Sequence, residues 1–158
     1  MEHILVADDG SDAASTAVEI AAELAAKTGA SLTALAIIDA GNFGAADVLA
    51  FARSEGLEPG AAVYALVDAA AKYLARCRTI AQRHGVVRFH SEKCAGDDPA
   101  TEILDFAREH AIDLIVVGSR GMGRLPGLLL GSISQKLASL APCSVLIARS
   151  TGVLSLIS

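Results

Sequence analysis

The 158-residue sequence has no tryptophan, and aromatic residues make up only 4% of it. A surface built to stack single-stranded bases is therefore not expected. Basic residues are outnumbered, and the formal charge of −5 argues against general electrostatic binding to nucleic acid or to an anionic membrane. No run of 18 apolar residues occurs, and segments such as 35–38, 114–117 and 128–130 are too short to cross a bilayer. No charged n-region followed by an apolar h-region and a small-residue cleavage site opens the chain, so no secretory signal is expected. The three cysteines (Cys77, Cys94, Cys143) are odd in number and contain no CxxC pair. Neither a disulfide framework nor a zinc site is expected, and a reducing, cytoplasmic setting is. His3, His84, His90 and His110 lack metal-ligand spacing. The pattern GxxxxGK(S/T) is missing, which sets aside an ordinary P-loop NTPase.

What is present begins with alanine. The hydrophobic fraction is 53%, but 31 residues are alanine, which suits close helix–sheet packing better than lipid. The length corresponds to one domain, expected over 1–149 with a tail at 150–158. Charge is unevenly spread. Residues 1–113 hold 18 acids and 9 bases, whereas 114–158 hold 4 bases and no acid.

Hydrophobic periodicity predicts strands alternating with helices. Strands are expected at 3–7, 32–38, 86–93, 112–117 and 144–148. A first helix follows Gly10 and Ser11, with Ala14, Ala17, Val18, Ala21, Leu24 and Ala25 on one face and Gly29 as its stop. A long helix is expected from 61 to 84, with the stripe Val63, Leu66, Val67, Ala70, Leu74, Cys77 and Ile80, ended by Gly85. Asp97, Asp98 and Pro99 open another helix to about His110, and 132–140 forms a short one closed by Pro142. The glycine-marked stretch 40–60 leaves room for a short helix at 45–53. This alternation implies an α/β fold, a parallel sheet with right-handed crossovers. Ligands in such folds bind beyond the carboxyl ends of strands where the strand order switches, which directs attention to 8–11, 38–41 and the region after Val117.

After Val117 the chain reads Gly118-Ser119-Arg120-Gly121-Met122-Gly123-Arg124-Leu125-Pro126-Gly127, then three leucines and Gly131-Ser132. A strand feeding a glycine-rich loop into a helix N-terminus suits an anion, because free N–H groups and the helix dipole converge there. Arg120 and Arg124 add positive charge. A plainer account stands beside this one, since Ser132-x-x-Gln135 is also a capping box that explains Ser132 without a ligand. Asp9 suits ribose hydroxyls, adenine N6 or Mg²⁺, and equally suits a turn before Gly10. Asp8 reads as its solvated neighbour, and Cys143 as packing. No Ser/His/Asp arrangement, activated cysteine or second-site carboxylate pair is visible.

Gly118-x2-Gly121-x9-Gly131-Ser132 resembles the nucleotide-binding signature of the universal stress protein family, G-x2-G-x9-G-(S/T). Ile4-Leu5-Val6-Ala7-Asp8-Asp9-Gly10-Ser11 is similar to that family's first strand and Asp-Gly-Ser turn. Ala95-Gly96-Asp97-Asp98-Pro99 with Ile103, Asp113 to Gly121, and Ala141-Pro142-Cys143-Ser144-Val145-Leu146-Ile147 resemble its later blocks. The resemblance implies an open five-stranded parallel sheet of order 3-2-1-4-5 with helices on both faces, a Rossmann-like fold of the adenine nucleotide alpha hydrolase type. It also implies the ATP-binding branch of the family and a homodimer. Position by position, it places Ala7 and Asp9 beside the adenosine and gives the backbone of Ile37 or Ile38 to adenine. Val117, Gly118, Arg120 and Gly121 line ribose and phosphates, while Gly131, Ser132 and Ile133 hold the phosphate tail. Asp9 is the candidate Mg²⁺ ligand when nucleotide is bound, and ADP or AMP are alternatives to ATP. The implied function is a cytoplasmic, nucleotide-dependent stress or regulatory switch with a protein partner and with at most slow ATP hydrolysis. The competing readings are a nucleotide-independent dimeric scaffold, using the last strand and the apolar tail 153–157, and a weak ATP hydrolase or adenylate-transferring α/β protein.

Overall fold

A computed structural model describes residues 1–39, 53, 56, 58–121 and 130–150. Its elements in chain order are β1 (His3–Ala7), α1 (Asp12–Thr28), β2 (Ser31–Asp39), α2 (Pro59–His84), β3 (Phe89–Gly96), α3 (Pro99–Glu109), β4 (Leu114–Gly118), α4 (Ser132–Leu140) and β5 (Ser144–Ala148). The five strands form one parallel sheet in the order β3-β2-β1-β4-β5, as the resemblance implies.

Burial separates the interior strands β1 and β4 from the edge strand β3. β1 and β4 are buried along almost their whole length, as continuous apolar runs must be when helices cover both faces. β3 alternates between exposed and half-buried residues and lies at an edge. Within β1 the period of two separates the cores. Ile4 and Val6 join Val18, Leu32, Leu74 and Cys77 beneath α1 and α2. Leu5 joins Leu35, Ile103, Ile115 and Leu137 beneath α3 and α4. Burying each Leu or Ile contributes roughly 1.5–3 kcal/mol, so the two layers hold the sheet from both sides. Alanine supplies six of the seven buried positions of α1, the other being Val18, and lets that helix lie close on the sheet.

Helix ends obey their local chemistry. Ser11 caps α1 by accepting from the Ala14 amide at 3.1 Å, and Gly29 and Gly85 end α1 and α2 at φ 72° and 78°. Asp98 caps α3, with Pro99 in its first turn. Two expected boundaries shift. β3 begins at Phe89 rather than 86, because the Val86 amide donates to the Ala81 carbonyl to finish the α2 cap and Val87 stands 95% exposed. β4 begins at Leu114 rather than 112, because the Ile112 amide is held by the Ala107 carbonyl and Ala111 turns at φ 48°. The expected helix at 45–53, apart from Arg53, and the tail from 151 onward lie outside the described residues.

Three carboxylates brace the ends of these elements. Arg83, then His84, hold Glu19 below its ordinary range. Lys136, then Thr101, do so for Asp98, and the Glu2 and His3 amides at 2.6 and 3.0 Å do so for Asp113. Since each folded-state value is lowered, the stabilisation is full above the ordinary carboxylate range and is lost as pH falls through the folded values. Thermal unfolding at graded pH should show a flat plateau near neutrality and a decline below about pH 4.5. Asp98→Asn keeps the cap and should make that decline shallower.

Candidate functional site

The strand order reverses between β1 and β4, and the turn after β1 meets the loop after β4 at this switch. The first turn is tightly pinned. The Asp8 amide donates to the Leu35 carbonyl at 3.0 Å, carrying the β1–β2 pairing one residue past the strand. Asp8 Oδ1 then accepts from the Gly10 amide at 2.9 Å, and Asp9 Oδ1 accepts from the Ser11 amide at 3.0 Å. Gly10 adopts φ 84°, a conformation that favours glycine, and the end of the Tyr73 ring lies against its open face.

The second loop leaves β4 and returns to nearly the same place. Ser119 is buried, and its amide donates to the Ala148 carbonyl at 2.6 Å. Its carbonyl accepts from the Gly131 amide at 2.7 Å and the Ser134 hydroxyl at 3.1 Å. Ser119 and Gly131 are thus joined directly, with α4 starting beside Arg120. The Ser11 hydroxyl donates to the Arg120 carbonyl at 3.3 Å and ties the two loops together. Residues 122–129, including Arg124 and Pro126, lie outside the described residues.

An open cleft of about 430 Å³ lies between these segments, lined by Gly10, Ser11, Asp12, Ala13, Arg120, Gly121 and Ser150. Gly121 borders Asp9 directly, since a Cβ on it would stand 2.7 Å from Asp9 Oδ2. Gly118 serves packing, because its Cβ would meet the Ala13 carbonyl carbon at 2.7 Å and the Ala14 amide nitrogen at 2.8 Å. Gly131 has only ordinary contacts around its Cβ position and is the N-cap of α4. That corrects the capping-box reading. Ser132 is the first residue inside the helix, it makes no side-chain cap, and its exposed hydroxyl has no hydrogen bond among the described residues.

Of the expected residues, Arg120 and Gly121 line this cleft; Asp9 adjoins Gly121, Gly131 lies beside Arg120 at the start of α4 with Ser132 next to it, and Gly118 packs against α1. Ala7 ends β1 next to them, and Val117 is buried one residue before Gly118. Ile133 packs half-buried on the core beneath α3 and α4. The last β1–β2 pair is Ala7 with Leu35, so Ile37 and Ile38 overhang the end of β1, paired with Cys94 and Ala95 of β3. They flank the Asp9 turn on the side away from the glycine loop and do not line the cleft itself.

Two charge readings change in three dimensions. The acid-free segment is not acid-free in space, because Asp9 and Asp12 come to it from β1 and α1. Lys136 is directed away, paired with Asp98 and 3.0 Å from the Thr101 hydroxyl. Asp8 departs further from expectation. Its side chain is buried, with Nη2 of Arg76 donating to Oδ1 and Oδ2 at 2.6 and 2.7 Å and the Cys77 thiol donating at 3.3 Å. The period of two along Ile4, Val6 and Asp8 carries the signal for that burial; nothing in the sequence marks Arg76 as the partner. All three thiols stay protonated at neutral pH. Burial, then Asp8, push Cys77 far up; burial, then Glu102, raise Cys94 to about 11; burial raises Cys143.

Fold and cleft together define an open, doubly wound α/β protein with its candidate site at the strand-order switch. The chain belongs to the Universal stress protein family, whose model matches residues 1–149. It is similar to the universal stress protein UspA from Lactobacillus plantarum, at 31% identity and a TM-score of 0.69 over 94% of this chain and 97% of that one. A universal stress protein solved in complex with cAMP is 25% identical, with a TM-score of 0.65 over 95% of this chain and 98% of that one. Universal stress protein YxiE of Bacillus subtilis is 51% identical over 55 residues, 35% of this chain. The stretches matched in YxiE and in a Thermus aquaticus universal stress protein each span 37% of those proteins. Among the described residues no helix is long and apolar enough to cross a membrane.

Proposed function

We propose that this chain binds an adenine nucleotide, ATP in the first instance, and acts as a nucleotide-dependent stress or regulatory protein of the cytoplasm. The observation that carries this reading is the meeting of Asp9 with Gly121, beside a glycine loop closed onto the N-terminus of α4. That arrangement sets a carboxylate acceptor for ribose hydroxyls next to backbone N–H groups and a helix dipole that favour phosphate. Arg120 adds a cation at the cleft. The similar protein solved with cAMP supports the same ligand class.

The residues present fit the ligand in parts. Gly121, Gly131, Ser132 and the first α4 amides would hold phosphates; Ala7, Val117 and Gly118 would border the ribose. Backbone groups of Ile37 or Ile38 would meet the adenine. Among the described residues no group of three or more His, Cys, Asp or Glu could hold a metal by itself. Asp9 would therefore share a Mg²⁺ ion with the phosphates, which is how that ion is commonly held. A bound triphosphate supplies three anionic groups whose repulsion the loop offsets. The chain's own part is to bind and orient.

Homodimerisation is proposed through β5, an edge strand whose Val145, Leu146 and Ile147 are only half-buried within one chain. A native mass spectrum of the purified protein should show a dimer carrying adenine nucleotide, and calorimetry should return micromolar affinity. Absence of heat with ATP, ADP and AMP up to about 1 mM, a range that reaches very weak binding, would sink the nucleotide reading.

A further inference from the structure

We propose that Asp8 and Arg76 are a positioning pair for the nucleotide cleft, with α2 holding the turn that presents Asp9. This deepens the reading above and rests on it for the identity of the ligand.

Asp8 is 3% exposed and immediately precedes Asp9. Its Oδ1 accepts from the Gly10 amide at 2.9 Å and from Arg76 Nη2 at 2.6 Å, so one oxygen joins the turn to α2. Tyr73, one turn before Arg76 and Cys77 on α2, presses its ring against Gly10, and the Arg76 guanidinium stands 5.9 Å from the centre of that ring. Cys77 donates to the other oxygen. Three consecutive contact positions of one helix thus converge on two residues of the binding turn. β2 and the long segment before α2 separate these partners in sequence, so the contact is tertiary and not a property of the turn alone.

The pairing has a form that suits positioning better than stability. The Asp8 side chain is fully buried and that of Arg76 is 35% exposed, and a charge pair drawn partly out of water contributes little net stability compared with well-packed apolar groups of like volume. Here Arg76 uses a single terminal nitrogen for both carboxylate oxygens, and its Nε is buried without a hydrogen-bond partner among the described residues. A side-on fork would have satisfied Nε and Nη2 together. The site therefore keeps a costly buried carboxylate at the end of the β1 face that carries Ile4 and Val6. What the pair supplies instead is an acceptor for Gly10 and a fixed direction for the adjoining Asp9 carboxylate.

The test uses Asp8→Val/Arg76→Met in the full chain, since removing Arg76 alone would leave an uncompensated buried charge and risk unfolding. Three readings are taken: thermal unfolding, ATP affinity by calorimetry, and amide hydrogen exchange at Gly10 and Ser11 without nucleotide. The double variant should melt at or above the wild-type temperature, bind ATP roughly tenfold or more weakly, and exchange those two amides about tenfold faster or more. Stability and affinity moving apart is the signature that a purely structural pair would not produce. Wild-type affinity in the double variant overturns the proposal, even if the turn loosens. Should the wild-type protein bind no nucleotide, the reading of the cleft falls by itself and exchange alone decides. Faster exchange at Gly10 and Ser11 then supports the pair as the clamp of this turn, and unchanged exchange overturns it.

Discussion

A Gly121→Val variant should fold with a melting temperature close to wild type and lose adenine-nucleotide affinity by about 30-fold or more, equivalent to roughly 2 kcal/mol of binding. The asymmetry follows from what surrounds Gly121. A Cβ at this position meets Asp9 Oδ2 at 2.7 Å and then nothing nearer than Asp9 Cγ at 3.9 Å. The obstacle is the end of an exposed side chain, which can swing aside at small cost to the fold. Gly121 also lacks the positive φ that would strain a branched residue. Yet the displaced carboxylate is the group proposed to meet the ribose, and the added methyl groups stand on the wall of the cleft. Calorimetry gives the affinity. A ligand that binds only the folded chain raises its melting point by mass action, so the rise that ATP produces in wild type should vanish in the variant. Undiminished affinity would place the nucleotide elsewhere.

The three glycines of the signature illustrate how much of the site the sequence conveyed. Their spacing marked a loop between a strand and a helix, and that loop lies where the strand-order switch required it. Spacing did not distinguish their tasks. Gly118 admits α1, Gly121 makes room for Asp9, and Gly131 caps α4 with no tight contact. For Gly118 and Gly121 the difference depends on residues more than 100 positions away along the chain, and a linear pattern carries no such information. The strands and helices were legible because each has a one-dimensional cause. Alternation in β1, the Ser11 cap and the Gly29 and Gly85 stops are all local. The shifts at β3 and β4 came from hydrogen bonds that cap the preceding helices and hold Val86 and Ile112 out of the ladder.

Charge was legible in sum and misleading in place. Counting along the chain separated a basic end from an acidic remainder, but folding brings Asp9 and Asp12 to the glycine loop and removes Lys136 to Asp98. Of the four bases after residue 113, Arg120 is the one that lines the described cleft. Asp8 shows the same limit from the other side. Its neighbour Asp9 is exposed and available, while Asp8, one residue earlier, points inward with Ile4 and Val6 and needs Arg76 from α2. Two adjacent aspartates with one composition therefore have opposite environments. The difference arises from strand alternation followed by a tertiary partner.

Gly118→Ala, by contrast, should destabilise the whole fold. A Cβ at Gly118 would lie 2.7 Å from the Ala13 carbonyl carbon, 2.8 Å from the Ala14 amide nitrogen and 2.9 Å from Ala13 Cβ. Two of these are backbone atoms of α1, so relief requires the helix to move off the sheet. The Ser11 cap and the buried alanines of α1 resist that movement from both ends. Overpacking of this kind costs about 1–3 kcal/mol, and a chain near this size loses roughly 2–4 °C per kcal/mol. A fall of about 2–12 °C is expected for alanine by calorimetric melting, and valine should go beyond it. Adding Ala13→Gly to Gly118→Ala removes the Cβ contact but leaves both backbone contacts, so recovery should be partial. Full recovery would mean that the clash lies between side chains and that α1 is free to adjust. Nucleotide affinity should weaken as well, because the displaced residues Ser11 to Ala13 form one wall of the cleft. In this variant, unlike Gly121→Val, affinity and stability should fall together, since the same movement of α1 opens the site and exposes the core.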